Sequence, residues 1–204
     1  AASELWVLGV IGTSTAVLVK KTTSWSTITI SDTPTLTGFS QYRWQGVTIH
    51  GKLCLAYDTG TDRLHVFDTR TSSTALRRVG LAKPTAAPAV ADTGAGTYAS
   101  TRYFRVRYAI QVSGTTILRS EPSAVTTFTP SGTGASARIT KPASVSENET
   151  HWELEASTDN TNFYRIATTA AGTTTYDDST VFATGYSSGT LSEDTGDYTL
   201  IPSA

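Results

Sequence analysis

Arg102-Tyr103-Phe104-Arg105-Val106-Arg107-Tyr108-Ala109-Ile110-Gln111-Val112 reads with a period of two. Phe104, Val106, Tyr108, Ile110 and Val112 fall on one face, and Tyr103, Arg105, Arg107 and Gln111 on the other. In His151–Ala156 the pattern returns: Trp152, Leu154 and Ala156 alternate with His151, Glu153 and Glu155. Side chains of a strand point alternately to opposite faces, so this spacing predicts strands with one buried and one wet side. The surrounding sequence is rich in Ser, Thr and Gly and carries almost no helix signal. The expectation is an all-β, sandwich-building protein made of two β units.

Working outward, residues 87–180 predict seven strands: Ala87–Ala91, Arg102–Val112, Ser123–Thr129, Ala137–Lys141, His151–Ala156, Phe163–Thr168 and Thr173–Asp177. Turn residues separate them at Ser113-Gly114, at Ser131–Gly134 and at Thr158–Asn162, where Asx and Gly tolerate left-handed backbone. Seven strands in a span of this size is the scale of a β-sandwich, placed here at 91–180. Upstream, Gly80–Pro88 holds two prolines among small residues, which predicts a semi-extended linker over 81–90. Residues 1–80 predict about six short strands. These are Leu5–Val10 and Thr15–Lys20 around Gly12-Thr13-Ser14, then Trp25–Ile30, Tyr42–His50 and Lys52–Tyr57 around Gly51, and Arg63–Phe67. Such spacing suits a blade-like unit or a small sandwich, although 80 residues are too few for a whole propeller. Residues 181–204 predict an extended C-terminal arm or an extra edge strand.

Two segments carry a family resemblance. One is Arg102–Tyr108 followed by Ser120-Glu121-Pro122-Ser123. The other is Trp152–Ser157 followed by Phe163–Ala167 and Thr174-Thr175-Tyr176-Asp177-Asp178. Together they resemble a fibronectin type III-like module, which implies a seven-stranded fibronectin III/Ig-like sandwich for the second unit. The stretch from Gly80 to Asp178 also resembles modules of tailed-phage virion proteins, in which a β-rich segment precedes an Ala/Pro linker and such a module.

Composition narrows the function. Hydrophobic residues make up 38% of the 204 and charged ones 16%, a balance suited to antiparallel sheets with one solvated face. Aromatics at 9% separate the chain from disordered compositions. A net charge of −1 without any Lys/Arg-rich run argues against nucleic acid as a partner. The single cysteine, Cys54, forbids an intramolecular disulfide, and its position between Leu53 and Leu55 predicts a buried, inert thiol. Leu5–Ile11, the longest apolar run, is too short to cross a bilayer as a helix, and no signal-peptide pattern stands at the start. The absence of methionine fits an initiator removed before Ala1, or a processed or partial product.

Candidate chemistry is thin. Gly185-Tyr186-Ser187-Ser188-Gly189 has the G-x-S-x-G spacing of a nucleophile elbow, but that motif needs a following helix and a later histidine. His50, His65 and His151 all precede it. Gly94–Ala99 fits the loose dinucleotide pattern, yet a strand follows it instead of a helix. The histidines and Cys54 lack metal-ligand spacing. Asp58, Asp62 and Asp68, and separately Asp177-Asp178, are loop carboxylates of the kind Ca²⁺ uses, but no EF-type run supports a site, and solvated turn residues are the expectation. Asn148-Glu149-Thr150 is a sequon, relevant only to a eukaryotic secretory setting. Neither cofactor nor metal is expected.

Among the tryptophans, Trp152 lies on the apolar face and is expected in the core, whereas Trp25 and Trp44 are candidates for stacking on a sugar. Arg105 and Arg107 on one strand and Glu153 and Glu155 on another suggest a cross-strand charge ladder. The alternative sets Tyr103, Arg105 and Arg107 against a partner subunit. Under both, Arg105→Ser and Arg107→Ser are expected to leave folding intact. The reading is a non-enzymatic virion structural protein, a capsid, neck or tail component that packs against copies of itself and other virion proteins. The alternative is an extracellular module that binds surface glycan or a receptor. An accessory β domain cut from a larger hydrolase is the third reading. No membrane or nucleic-acid partner is expected.

Overall fold

A computed structural model describes residues 5–11, 15–21, 24–30, 44–57, 64–68, 75–94, 100–130, 136–180 and 185–192. Strands, turns and loops account for all of them, and no helix occurs among the described residues. The protein is all-β. The chain forms two compact units, one built mainly on residues 1–80, the other on residues 81–145 and 149–199.

The first unit contains β1 (Leu5–Ile11), β2 (Thr15–Lys21), β3 (Trp25–Ile30), β4 (Trp44–Ile49), β5 (Lys52–Tyr57), β6 (His65–Phe67) and β7 (Ala75–Arg78). They make one seven-stranded sheet in the order β1-β2-β3-β7-β6-β5-β4. Two antiparallel meanders, β1–β2–β3 and β4–β5–β6–β7, are joined by a parallel seam of two residue pairs, Thr29↔Ala75 and Ile30↔Leu76. His50 (φ 48°) and Gly51 (φ 76°) close the β4–β5 hairpin. Positive φ at both positions is the two-residue type I′ turn, whose twist matches that of the strands it joins. β7 lies beyond the expected six strands. A strand of four residues carries little periodicity to read.

The second unit contains β8 (Ala89–Asp92), β9 (Arg102–Val112), β10 (Thr115–Arg119), β11 (Thr126–Phe128), β12 (Ala137–Thr140), β13 (His151–Ser157), β14 (Tyr164–Ala170), β15 (Thr175–Asp178) and β16 (Thr190–Leu191). The larger sheet runs β10-β9-β13-β14-β16 with β11 also on β9, and the smaller runs β15-β12-β8. Residues of both sheets share one core: Phe104, Val106, Tyr108 and Ile110 from β9, Trp152, Leu154 and Ala156 from β13, and Ala137 and Ile139 from β12. These are the alternating apolar positions of the two long strands, so the sandwich-like packing follows directly from the period of two. The indole N–H of Trp152 donates to the Thr173 carbonyl at 2.7 Å, which removes the cost of burying it.

One edge of β9 is closed in an unusual way. β10 pairs with Ala109–Val112 and β11 with Arg102–Phe104, which leaves Val106 and Tyr108 between them. Pro122 in the intervening segment has no N–H to offer a ladder. Serine hydroxyls take over. The amide of Tyr108 donates to Ser120 Oγ (2.9 Å) and that of Val106 to Ser123 Oγ (3.0 Å), while the Ser120 and Ser123 amides donate back to the Tyr108 and Val106 carbonyls, each at 2.8 Å. The Ser-Glu-Pro-Ser motif thus completes an edge.

Two sequence expectations change here. The span 81–90 is no free linker: Leu81 belongs to the core of the second unit, Pro84 and Pro88 are buried, and β8 begins at Ala89. A buried leucine anchors a proline-rich stretch that composition alone reads as extended. β10, unexpected from sequence, returns from the Ser113 (φ 51°)–Gly114 (φ 77°) turn, and a register shift between Thr116 and Leu118 blurs its alternation. Of the two expectations for the stretch after residue 180, the described residues give the extra edge strand, β16 on β14, with Tyr186 in the core.

Candidate assembly surfaces

The expected wet face of β9 and β13 is buried. Arg105 and Arg107 are 6% and 2% exposed, and Glu153 and Glu155 are 1% each. Antiparallel register sets Arg105 opposite Glu155 and Arg107 opposite Glu153. The ion pairs take a diagonal as well. Arg105 Nε donates to Glu155 Oε2 at 2.5 Å and Arg107 Nε to Glu155 Oε1 at 2.6 Å. Arg119 of β10 reaches Glu153 Oε2 at 2.5 Å, and Arg165 of β14 donates to Glu153 Oε1 at 3.0 Å. Ser192, just past β16, donates to Glu155, and the Phe163 ring lies 4.0 Å from the Arg105 guanidinium. Three strands, β9, β10 and β14, therefore supply four guanidiniums to the two carboxylates of β13. Such a layer is dry because each carboxylate accepts several charge-assisted bonds and the arginine stems cover the sheet. Sequence reasoning had the ladder but not its burial, nor Arg119 and Arg165. Tyr103 stays half-buried on β9. Arg105 and Arg107 are held within the chain, so serine substitutions there are expected to destabilise the fold rather than leave it intact.

A second feature sits where β16 meets β14. A cleft of about 340 Å³ is lined by Arg165, Ile166, Tyr176, Tyr186, Ser188 and Thr190, among others. Tyr186 is its anchor: its hydroxyl donates to Asp178 Oδ2 at 2.5 Å, and the Arg102 guanidinium lies 5.1 Å from its ring centroid. Gly189 has no room for a side chain, since a Cβ would come within 2.8 Å of the Arg165 carbonyl. The G-x-S-x-G segment is thus a turn leading into the two-residue strand β16, not into a helix. Burial, then the Asp178 carboxylate, push the Tyr176 hydroxyl above its usual pKa.

The remaining candidates are dispersed. Asp68 pairs with Lys52 at 3.6 Å, and Asp177 accepts two bonds of 2.7 Å from Arg138. Asp58 and Asp62 lie outside the described residues. Among the described residues no group of three or more His, Cys, Asp or Glu could hold a metal ion. Trp25 and Trp44 begin β3 and β4, and their side chains also lie outside the described residues. Cys54 is half-buried on β5, where burial pushes its thiol up and Lys52 opposes. His65 is buried, whereas His50 sits exposed in the β4–β5 turn.

What does face solvent is strand edge. Gln45 to His50 are exposed along β4, with Val47 at 53% and Ile49 at 50%, and β4 ends the seven-stranded sheet. Leu191 on β16 is also exposed, at the margin of the larger sheet of the second unit. Sequence reasoning missed this surface, although the uncharged run from Trp44 to Ile49 beside a tight turn was its signal. Searched by sequence, the chain matches no protein-family model and no curated protein.

Proposed function

We propose that this chain is a non-enzymatic structural protein that works by β packing against copies of itself and other subunits, in a virion of the tailed-phage kind. The observation that carries the assembly reading is the distribution of polar and apolar groups. The arginines and glutamates of the longest strand pair are used inside the chain, while apolar side chains are left on strand edges at Val47, Ile49 and Leu191. Exposed apolar edge strands are templates for pairing with another chain, and soluble monomers ordinarily blunt them with charge, proline or a bulge. The virion setting comes from the module resemblance of Gly80–Asp178. The placement of the G-x-S-x-G segment in a turn before a strand supports a non-catalytic role.

Electron microscopy of the native assembly tests both parts. The expected result is this chain in symmetric contact with its neighbours through sheet edges. A monodisperse monomer at high concentration that joins no particle overturns the reading.

A further inference from the structure

The backbone pattern of β4 at the end of its sheet is one that the same strand of a second copy can match. The turn at His50-Gly51 has two residues, so Ile49 and Lys52 form its closing hydrogen-bonded pair. Antiparallel ladders alternate, so Val47 and Gln45 also direct their amides and carbonyls toward β5. Thr48, Gly46 and Trp44 then direct theirs to the outer edge, where β4 is the last described strand of the sheet. Antiparallel pairing of two such edges about a dyad must match outward groups with outward groups. A dyad at Val47 does this: Gly46 bonds to Thr48 of the copy, and Thr48 to Gly46 of the copy. Val47 then meets its own symmetry mate in a non-hydrogen-bonded pair, the closer of the two kinds.

Two observations favour a second copy over an unrelated strand. The first is an apolar row. Val47 pairs with Cys54 and Cys54 with Val66, so one face carries Val47-Cys54-Val66 across β4, β5 and β6 and stops at the edge with Val47 half exposed. A dyad at Val47 continues that row into its own mirror order and covers the exposed valine. The second is charge. Gln45, Gly46, Val47, Thr48 and Ile49 are all uncharged, so self-pairing sets no like charges opposite each other. None of the usual guards against edge pairing, a lysine, a proline or a bulge, stands within this stretch.

We infer that β4 pairs antiparallel with β4 of a second copy about a two-fold axis at Val47, joining two seven-stranded sheets into one. This inference rests on the self-assembly reading and names its contact. The experiment is sedimentation velocity on the full chain over a concentration series, for the wild type, Val47→Lys, Val47→Glu and an equimolar mixture of the two variants. The wild type is expected to dimerise. Each variant alone sets like charges face to face across the dyad and weakens dimerisation by about tenfold or more. The mixture is expected to restore it, because only this register brings position 47 against position 47. Far-ultraviolet circular dichroism checks that each variant keeps its sheets. Thr48→Pro, which removes an outward amide and spares the β4–β5 ladder, is expected to weaken dimerisation similarly.

A Val47→Lys variant that dimerises as well as the wild type overturns the β4 contact and leaves the assembly reading standing. Loss in both variants without rescue in the mixture overturns the Val47 dyad in favour of pairing with a different strand, such as β1 of the next copy. A wild type that stays monomeric throughout overturns both the contact and the reading beneath it.

Discussion

Glu155 shows most plainly what single residues do in this protein. It accepts from Arg105, Arg107 and Ser192 in a nearly dry layer. Removing one member of a buried ion pair leaves the other charge uncompensated, a loss of about 3–5 kcal/mol. Glu155→Gln is therefore expected to lower the unfolding free energy by about that much in urea titrations. Arg105→Ser and Arg107→Ser are expected to destabilise as well, because each strips a bond from a carboxylate that water does not reach. A triple replacement of Glu155, Arg105 and Arg107 by apolar residues should cost less than Glu155→Gln alone, since it removes both guanidiniums together with the carboxylate they share.

Asp159 gives a residue-scale effect of pH. In the β13–β14 turn its carboxylate accepts the amides of Thr161 and Asn162, the Asn162 side-chain amide and the Ser157 hydroxyl. Those bonds, led by the Asn162 amide, hold its pKa well below the ordinary aspartate range. A depressed folded pKa means a contribution present above the unfolded value and lost as pH falls through the folded one. The acid limb is thus expected below about pH 4. Carboxyl chemical shifts should find Asp159 still ionised where ordinary aspartates are half protonated, and Asp159→Asn should flatten that limb.

At the scale of elements, the legible strands were those with an apolar face in contact with the core. Phe104-x-Val106-x-Tyr108-x-Ile110 and Trp152-x-Leu154-x-Ala156 fixed β9 and β13 because core burial selects that alternation. The opposite face was misread as wet because Arg and Glu alternate identically whether they meet water or each other. β10 was missed because a register shift interrupts it, and Leu81 because one buried leucine in a Pro/Ala stretch carries no period. β16 owes its place to a missing side chain. Gly189→Ala would drive a Cβ into the Arg165 carbonyl, so β16 is expected to come away from β14, with faster amide exchange at Thr190 and Ser192 and a loss of about 1–3 kcal/mol. Ser188→Ala, nearby and exposed, should change little.

For the whole molecule, the same logic separates stability from association. The charged layer lies within one unit, while the exposed edge of β4 between Gln45 and Ile49 carries no charge. Self-association is therefore expected to survive salt that screens surface charge, at about 1 M where the Debye length is about 3 Å. A dissociation constant that rises steeply with salt in sedimentation would place the contact on charged surface instead. Composition and periodicity gave the all-β class. They could not show which strand is left last in its sheet, because that depends on the parallel pairing of β3 with β7, far apart in sequence.

That pairing has a mechanical side. Among the described residues, the pairs Thr29↔Ala75 and Ile30↔Leu76 join the two halves of the first sheet, whereas β1–β2 and β4–β5 are each laced along their full length. With two residue pairs against seven in β1–β2 and six in β4–β5, the seam is expected to yield under tension before either half frays. The sheet would then part into a three-stranded and a four-stranded leaf, each still knitted, and lengthen without unravelling. A protein built into a particle that must withstand strain would gain from a join that gives way first and zips shut again.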